Sequence, residues 1–202
     1  FDRPAVLAPV VPVSHASLAR GRSVSDVKAH NARAVLLALL RCGAASRVDL
    51  ARLTGLSSTT ITNLVTELLD QGLVFEAGKE PAPDSRGAVE RSGAGRPATL
   101  LRLVPDARYA VGLHVGVDTL HAGVTDLLGQ LVAYRLIALE PDASPSDTLD
   151  LAVSLMRETI TEAAIEESRI VGAGVGASGL TDPETGVNAL SPNLGWRNVP
   201  VR

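Results

Sequence analysis

The chain holds a single cysteine, Cys42, and no Cys-x-x-Cys pair. That excludes an internal disulfide framework and cysteine-rich zinc modules, and makes a reducing, cytosolic compartment the default. No apolar run approaches the roughly 18 residues that a membrane helix needs. A signal-peptide core is missing too, because Pro4, Pro9 and Pro12 interrupt the weakly apolar start and proline lacks the N–H of a helix interior. Charge is sparse, at 20% of residues with a net of −3, which is too little for a disordered polyelectrolyte. What the chain does have is apolar surface: 46% of 202 residues, enough to bury a real core in one large domain or two small ones. It starts at Phe1 and its only methionine is Met156, so a processed or trimmed product is expected.

The charge is unevenly spread. Residues 1–105 carry 13 Lys and Arg against 9 Asp and Glu, whereas residues 106–202 carry 6 against 13. A basic half joined to an acidic half suggests that the first meets a polyanion and the second does not. Residues 1–25, broken by proline and followed by Gly21, Ser23 and Ser25, read as a flexible arm.

Order is expected from Asp26. Asn31–Arg41 has apolar Val35, Leu36, Leu39 and Leu40 at helical spacing and ends at Gly43. Ser46 and Asp49 form a capping box for a second helix, whose buried face is Leu50, Ala51 and Leu53 and whose stop is Gly55. Ser57 caps a third helix running to Gln71. There Ile61, Leu64, Val65, Leu68 and Leu69 form one apolar stripe. The opposite face carries Ser58, Thr59, Thr60, Thr62, Asn63 and Thr66. Threonine is a mediocre helix former, and a merely solvated face would take Glu, Lys or Gln.

Two short helices joined through Thr54-Gly55-Leu56-Ser57 make a helix-turn-helix. Strands at Leu73–Ala77 and Thr99–Val104 then complete a winged helix-turn-helix over residues 26–106, with a wing loop at 78–98. A recognition helix lies in the major groove with its N-terminal residues at the base edges, where short hydroxyl and amide side chains donate and accept. The expected DNA contacts are therefore Arg47, Ser57, Ser58, Thr59, Thr60, Thr62, Asn63, Arg91 and Arg96. Lys79 and Arg86 share the wing with Arg91 and Arg96, and such residues neutralise phosphates. Gly95-Arg96-Pro97 resembles the core of AT-hook segments, which implies an arginine in the narrow minor groove of A·T-rich DNA.

From Tyr109 the pattern becomes Tyr109–Val117, Leu120–Asp126 and Gln130–Leu139 as strands, then a helix from Ser146 to about Glu167. That helix shows Leu149, Val153, Met156, Ile160 and Ala164 along one side, and a strand at Ile170–Ala177 follows. The order β-β-β-α-β over 107–202 reads as the first lobe of a mixed α/β domain. Gly174-x-Gly176-x-x-Gly179 matches a dinucleotide fingerprint only as a string, because Asp182-Pro183 and Thr185-Gly186 supply a turn where a helix is needed. Those glycines read instead as allowing close strand packing. Ser178 is no nucleophile elbow, since Leu180 stands where glycine is required. The four histidines are scattered, with only His114 and His121 placed so that they could be neighbours across strands, and without a cysteine or carboxylate cluster no metal site is expected. Cys42 and Trp196 read as packing residues.

Asn31–Phe75 with Gly95-Arg96-Pro97, followed by Tyr109–Gly129, Gly172–Gly179, Asp182–Gly186 and Ser191–Trp196, resembles the ROK family of transcriptional regulators and sugar kinases over about residues 28–202. The resemblance implies an α/β protein, a winged helix-turn-helix followed by part of an actin-like ATPase lobe. It implies a repressor or activator of sugar-metabolism genes, with repressor the first reading, acting as a homodimer or tetramer with a sugar or sugar-phosphate effector, and it places Asn193 and Gly195 near the sugar pocket. The family kinases carry Asp-x-Gly-Gly-Thr-Lys on the first hairpin. Here the matching stretch is His114-Val115-Gly116-Val117-Asp118-Thr119. Val117 blocks backbone approach to a phosphate and Asp118 repels it, which argues against ATP binding and phosphoryl transfer. The family's Asn-Asp catalytic motif and cysteine-rich zinc motif would follow the Trp196 region, beyond Arg202. No catalytic residue, cofactor or metal is therefore assigned. The rivals are a sugar kinase with an appended DNA-binding domain and a ligand-independent dimeric DNA-binding module.

Overall fold

The computed structural model describes residues 24–78, 98–140 and 142–201. The expected arm up to Ser23 and the wing residues Lys79, Arg86, Arg91 and Arg96 lie outside the described residues. The first core gathers α1 (Val24–Cys42), β1 (Ala45–Ser46), α2 (Arg47–Thr54), α3 (Ser58–Asp70), β2 (Val74–Glu76) and β3 (Leu100–Leu103). Val35, Leu39, Leu50, Ile61, Val65 and Leu101 are fully buried at its centre. β3 lies between β1 and β2, antiparallel to both. The expected β2–β3 hairpin thus gains a third strand, which at a length of 2 residues leaves no periodicity to read.

The capping box at α2 forms as expected. Ser46 Oγ accepts from the Asp49 amide at 3.2 Å, and the Asp49 carboxylate accepts from the Ser46 amide at 3.1 Å and from its hydroxyl at 2.6 Å. Ser46→Ala should cost about 1 kcal/mol of stability, since orphan amides at a helix start lose their acceptor. A denaturant midpoint checks this, and an unchanged midpoint would show the cap to be idle.

Three helix readings change. α1 begins at Val24 rather than Asn31, because Lys28-Ala29-His30-Asn31 is polar and hides the helical period. Lys28 nonetheless ties this turn to Glu67 of α3 at 2.7 Å. Leu53 is 52% exposed: the α2 contact centres between Leu50 and Ala51, so a residue at 100° per step falls roughly 110° away from it. Cys42 is exposed as well, because it ends α1 one residue before Gly43, beyond the buried face of Val35 and Leu39.

The second core is built on a four-stranded sheet of order β6-β5-β4-β7, from β4 (Tyr109–Val115), β5 (Thr119–Asp126), β6 (Leu131–Ala138) and β7 (Ile170–Ala177). β4 and β7 run parallel and the other pairs antiparallel. α4 (Pro145–Glu162) connects β6 to β7 and covers one face of the sheet. α4 ends at Glu162, short of the expected Glu167, and Ala164 has φ +50°. Its buried face is Thr148, Ala152, Leu155 and Thr159, offset by one residue from the expected stripe, and Val153 is exposed. Small side chains at the closest approach let the helix sit down on the sheet, while Leu149 packs at its flank.

β8 (Leu180–Asp182), β9 (Val187–Ser191) and β10 (Trp196–Pro200) form a separate antiparallel sheet that the periodicity did not predict. Its strands are short, and Val-Asn-Ala-Leu-Ser does not alternate cleanly. Trp196 and Val199 enter the core under α4. Buried Asn188 donates to Ser178 O at 3.0 Å and to Thr181 Oγ1 at 3.1 Å.

Candidate nucleic-acid interface

α3 is held from beneath and left open above. Ile61, Leu64, Val65 and Leu68 are buried, so the helix cannot rotate without exposing its stripe, at a cost of roughly 1.5–3 kcal/mol for each side chain. Ala51 of α2 and Gly55 at φ +71° shape the turn before it. The Gly55 amide donates to Ala51 O, and a left-handed residue is required at that cap. Ser57 then caps α3, accepting from the Thr60 amide at 3.1 Å.

Ser57, Ser58, Thr59, Thr62 and Asn63 are exposed and Thr60 is half-buried, but they are not equally free. Thr60 Oγ1 lies 2.9 Å from Ser57 Oγ, so both serve the cap. The Thr62 and Thr66 hydroxyls donate to Ser58 O and Thr62 O, leaving only acceptor lone pairs outward. Ser58, Thr59 and Asn63 make no side-chain hydrogen bond among the described residues and keep their full donor and acceptor sets. A base edge pairs with groups of this kind, and the bidentate amide of an Asn suits adenine.

The charges around the helix are mostly paired. Arg47 Nη2 lies 3.1 Å from Glu76 Oε1, and Arg52 faces Asp49 at 3.5 Å. Arg47 thus stands beside α3 already bridged to the wing strand β2, and a phosphate there would exchange one anion for another. Sequence reasoning missed Glu76 because the pair spans 29 positions. It also passed over Arg102 on β3, whose buried Nε has no hydrogen-bond partner among the described residues.

The effector-side candidates lie elsewhere. Asn193 sits on an exposed 3-10 turn, Pro192–Leu194, closed by Gly195 at φ +65°. His114 and His121 are neighbours as expected, with ring centroids 5.9 Å apart. His121 also contacts Thr119 Oγ1 at 3.0 Å and Tyr134 Oη at 2.7 Å. No group of three or more His, Cys, Asp or Glu able to hold a metal is found among the described residues. None of their helices is long and apolar enough to cross a membrane. The glycine string of β7 leads into β8, not a helix, as the turn chemistry indicated. The Asp182 carboxyl is held below its usual range by the Glu184 amide and the Thr185 hydroxyl, so it belongs to that turn. Close packing explains only part of the string: a Cβ at Gly179 would meet Leu190 O at 2.5 Å, whereas one at Gly174 would meet nothing.

Residues 29–74, from α1 to the start of β2, match a family of winged helix-turn-helix DNA-binding domains. The xylose repressor of Bacillus subtilis is 30% identical over 176 residues, which is 87% of this chain and 43% of the repressor. That of Caldicellulosiruptor bescii is 28% identical over 87% of this chain and 42% of its own length. A crystal structure of a ROK family transcriptional regulator, a homologue of the E. coli Mlc protein, superposes with a TM-score of 0.65 at 22% identity, covering 87% of this chain and 42% of that one. The chain has the fold of the first part of a ROK-family regulator. That likeness takes in both the winged helix and the sheet domain that follows it. The chain spans a little over two fifths of the length of these relatives.

Proposed function

We propose that this chain carries the DNA-reading domain and the beginning of the effector lobe of a transcriptional repressor of sugar-metabolism genes. The observation that carries this reading is α3. It is a helix locked on its apolar side, whose exposed first turns present Ser58, Thr59 and Asn63, which make no side-chain hydrogen bond among the described residues. Thr62 adds acceptors, Ser57 and Thr60 hold the helix start, and Arg47, Arg91 and Arg96 supply charge for phosphates or the minor groove. The protein acts in the cytoplasm as a homodimer on a double-stranded operator. A sugar or sugar phosphate is the effector, with Asn193 and Gly195 at the edge of its pocket. Val117 and Asp118 at the β4–β5 hairpin disfavour a bound nucleotide phosphate, which supports a regulator over a kinase.

Selection from a randomised duplex pool at two salt concentrations tests the reading. A palindrome with half-sites about one helical turn apart is expected. Retention that yields no motif and vanishes as salt rises would reduce the basic half to a phosphate grip and overturn it. In the same assay Arg96→Ala should weaken binding most on sites with A·T-rich flanks.

A further inference from the structure

The two cores are joined by Pro105–Ala107, a single 3-10 turn, and both sides of that turn are gripped. On the winged-helix side the Val104 amide donates to Leu73 O at 3.0 Å. On the lobe side the β5–β6 turn reaches across. The Leu127 amide donates to Pro105 O at 2.9 Å, and the half-buried Leu127 side chain packs against the winged-helix core, the cluster that holds Ile61, Leu64, Val65 and Leu68 of α3. This turn is itself stiff, because Asp126 Oδ1 accepts from the amides of Leu128 and Gln130, both at 2.9 Å. A second contact across the junction is weaker. There Arg169 reaches Asp106 O with one exposed hydrogen bond of 3.3 Å, next to a cleft of about 270 Å³ lined by Gln71, Gly72, Val104, Asp106, Arg108 and Arg169.

A body anchored by an apolar plug at one contact, and elsewhere only by a weak solvent-exposed hydrogen bond beside a polar gap, can rock about the plug. The rim of the gap includes Gln71 and Gly72, the C-terminal end of α3. We infer that Leu127 is a positioning residue for the recognition helix: it is the pivot through which the lobe and α3 sense one another, with Arg169 as a releasable contact across the cleft. The inference rests on the DNA-reading role proposed for α3. Coupling of this kind is reciprocal, so DNA seated on α3 must alter the β5–β6 turn.

Hydrogen exchange on the full chain, with and without the duplex recovered by the selection above, reads this directly. The amides of Leu127, Leu128 and Gln130 are all hydrogen-bonded and lie far along the chain from α3. Duplex should slow exchange in α3 and also slow these three amides about fivefold, the low end of allosteric couplings. Leu127→Ala should keep the α3 protection and lose the remote effect, while Arg169→Gln should keep both. If Leu127→Ala does not fold, Leu127→Val serves, with a diminished remote effect. Protection confined to α3 in the unmodified chain, or a remote effect that survives Leu127→Ala, overturns the inference. Absence of protection at α3 itself overturns the DNA reading, and the inference with it.

Discussion

Asn63→Ala should weaken binding to the selected operator by about 10- to 100-fold while leaving binding to unrelated duplex nearly unchanged. The first number follows from the roughly 1–3 kcal/mol of discrimination that a bidentate base contact supplies. The second follows because Asn63 carries no charge and contributes nothing to the phosphate term. Stability should move the other way. Asn63 is exposed on α3 and makes no side-chain hydrogen bond among the described residues, and alanine is the better helix former by several tenths of a kcal/mol. A variant that binds worse and melts slightly higher separates reading from folding, whereas a loss in both would mean that Asn63 supports the helix. Competition binding against operator and scrambled duplex, paired with a thermal melt, gives both signs in one series. Thr62→Ala should cost less in binding, since its hydroxyl hydrogen is already given to Ser58 O at 2.8 Å.

Gly179→Ala should be strongly destabilising, removing roughly 3 kcal/mol or more. Its φ is +107°, and an added Cβ would lie 2.5 Å from Leu190 O and 2.7 Å from Ser191 Cβ. Those atoms belong to β9, so no flexible side chain can swing aside. Backbone strain of about 1–3 kcal/mol and overpacking of similar size act together. The damage should centre on the β8–β10 sheet, where Trp196 is 1% exposed, so the only tryptophan reports it by fluorescence during urea unfolding. Gly174→Ala, within the same glycine string, should be neutral or mildly stabilising, because open space surrounds its Cβ and alanine costs less chain entropy in a strand than glycine does. Equal behaviour of the two variants would show that the β7–β9 approach does not depend on Gly179.

Sequence alone determined whatever depends on short-range periodicity and capping. The α3 stripe, the Ser46–Asp49 box, the Gly55 stop and the order β-β-β-α-β were all legible, because each is set by residues within one or two turns or strands of one another. The exposed polar face of α3 was legible for the same reason, as the complement of its buried stripe. Where short-range signals mislead, the cause is also visible. The polar first turns of α1 carry no apolar period to read, and the apolar stripe of α4 lies one residue off the face that meets the sheet, where Thr148 and Thr159 are buried beside Ala152 and Leu155.

Tertiary structure decided which polar groups stay available and where the halves touch. Only the folded chain commits the hydroxyls of Thr60 and Thr62 locally, bridges Arg47 to Glu76 across 29 positions, and brings Leu127 against the core of a domain that precedes it. The physical reason is common to all of these. Whether a donor, an acceptor or an apolar side chain is left over depends on partners remote in the chain, which no local pattern records, whereas the backbone conformation that presents it depends on its neighbours.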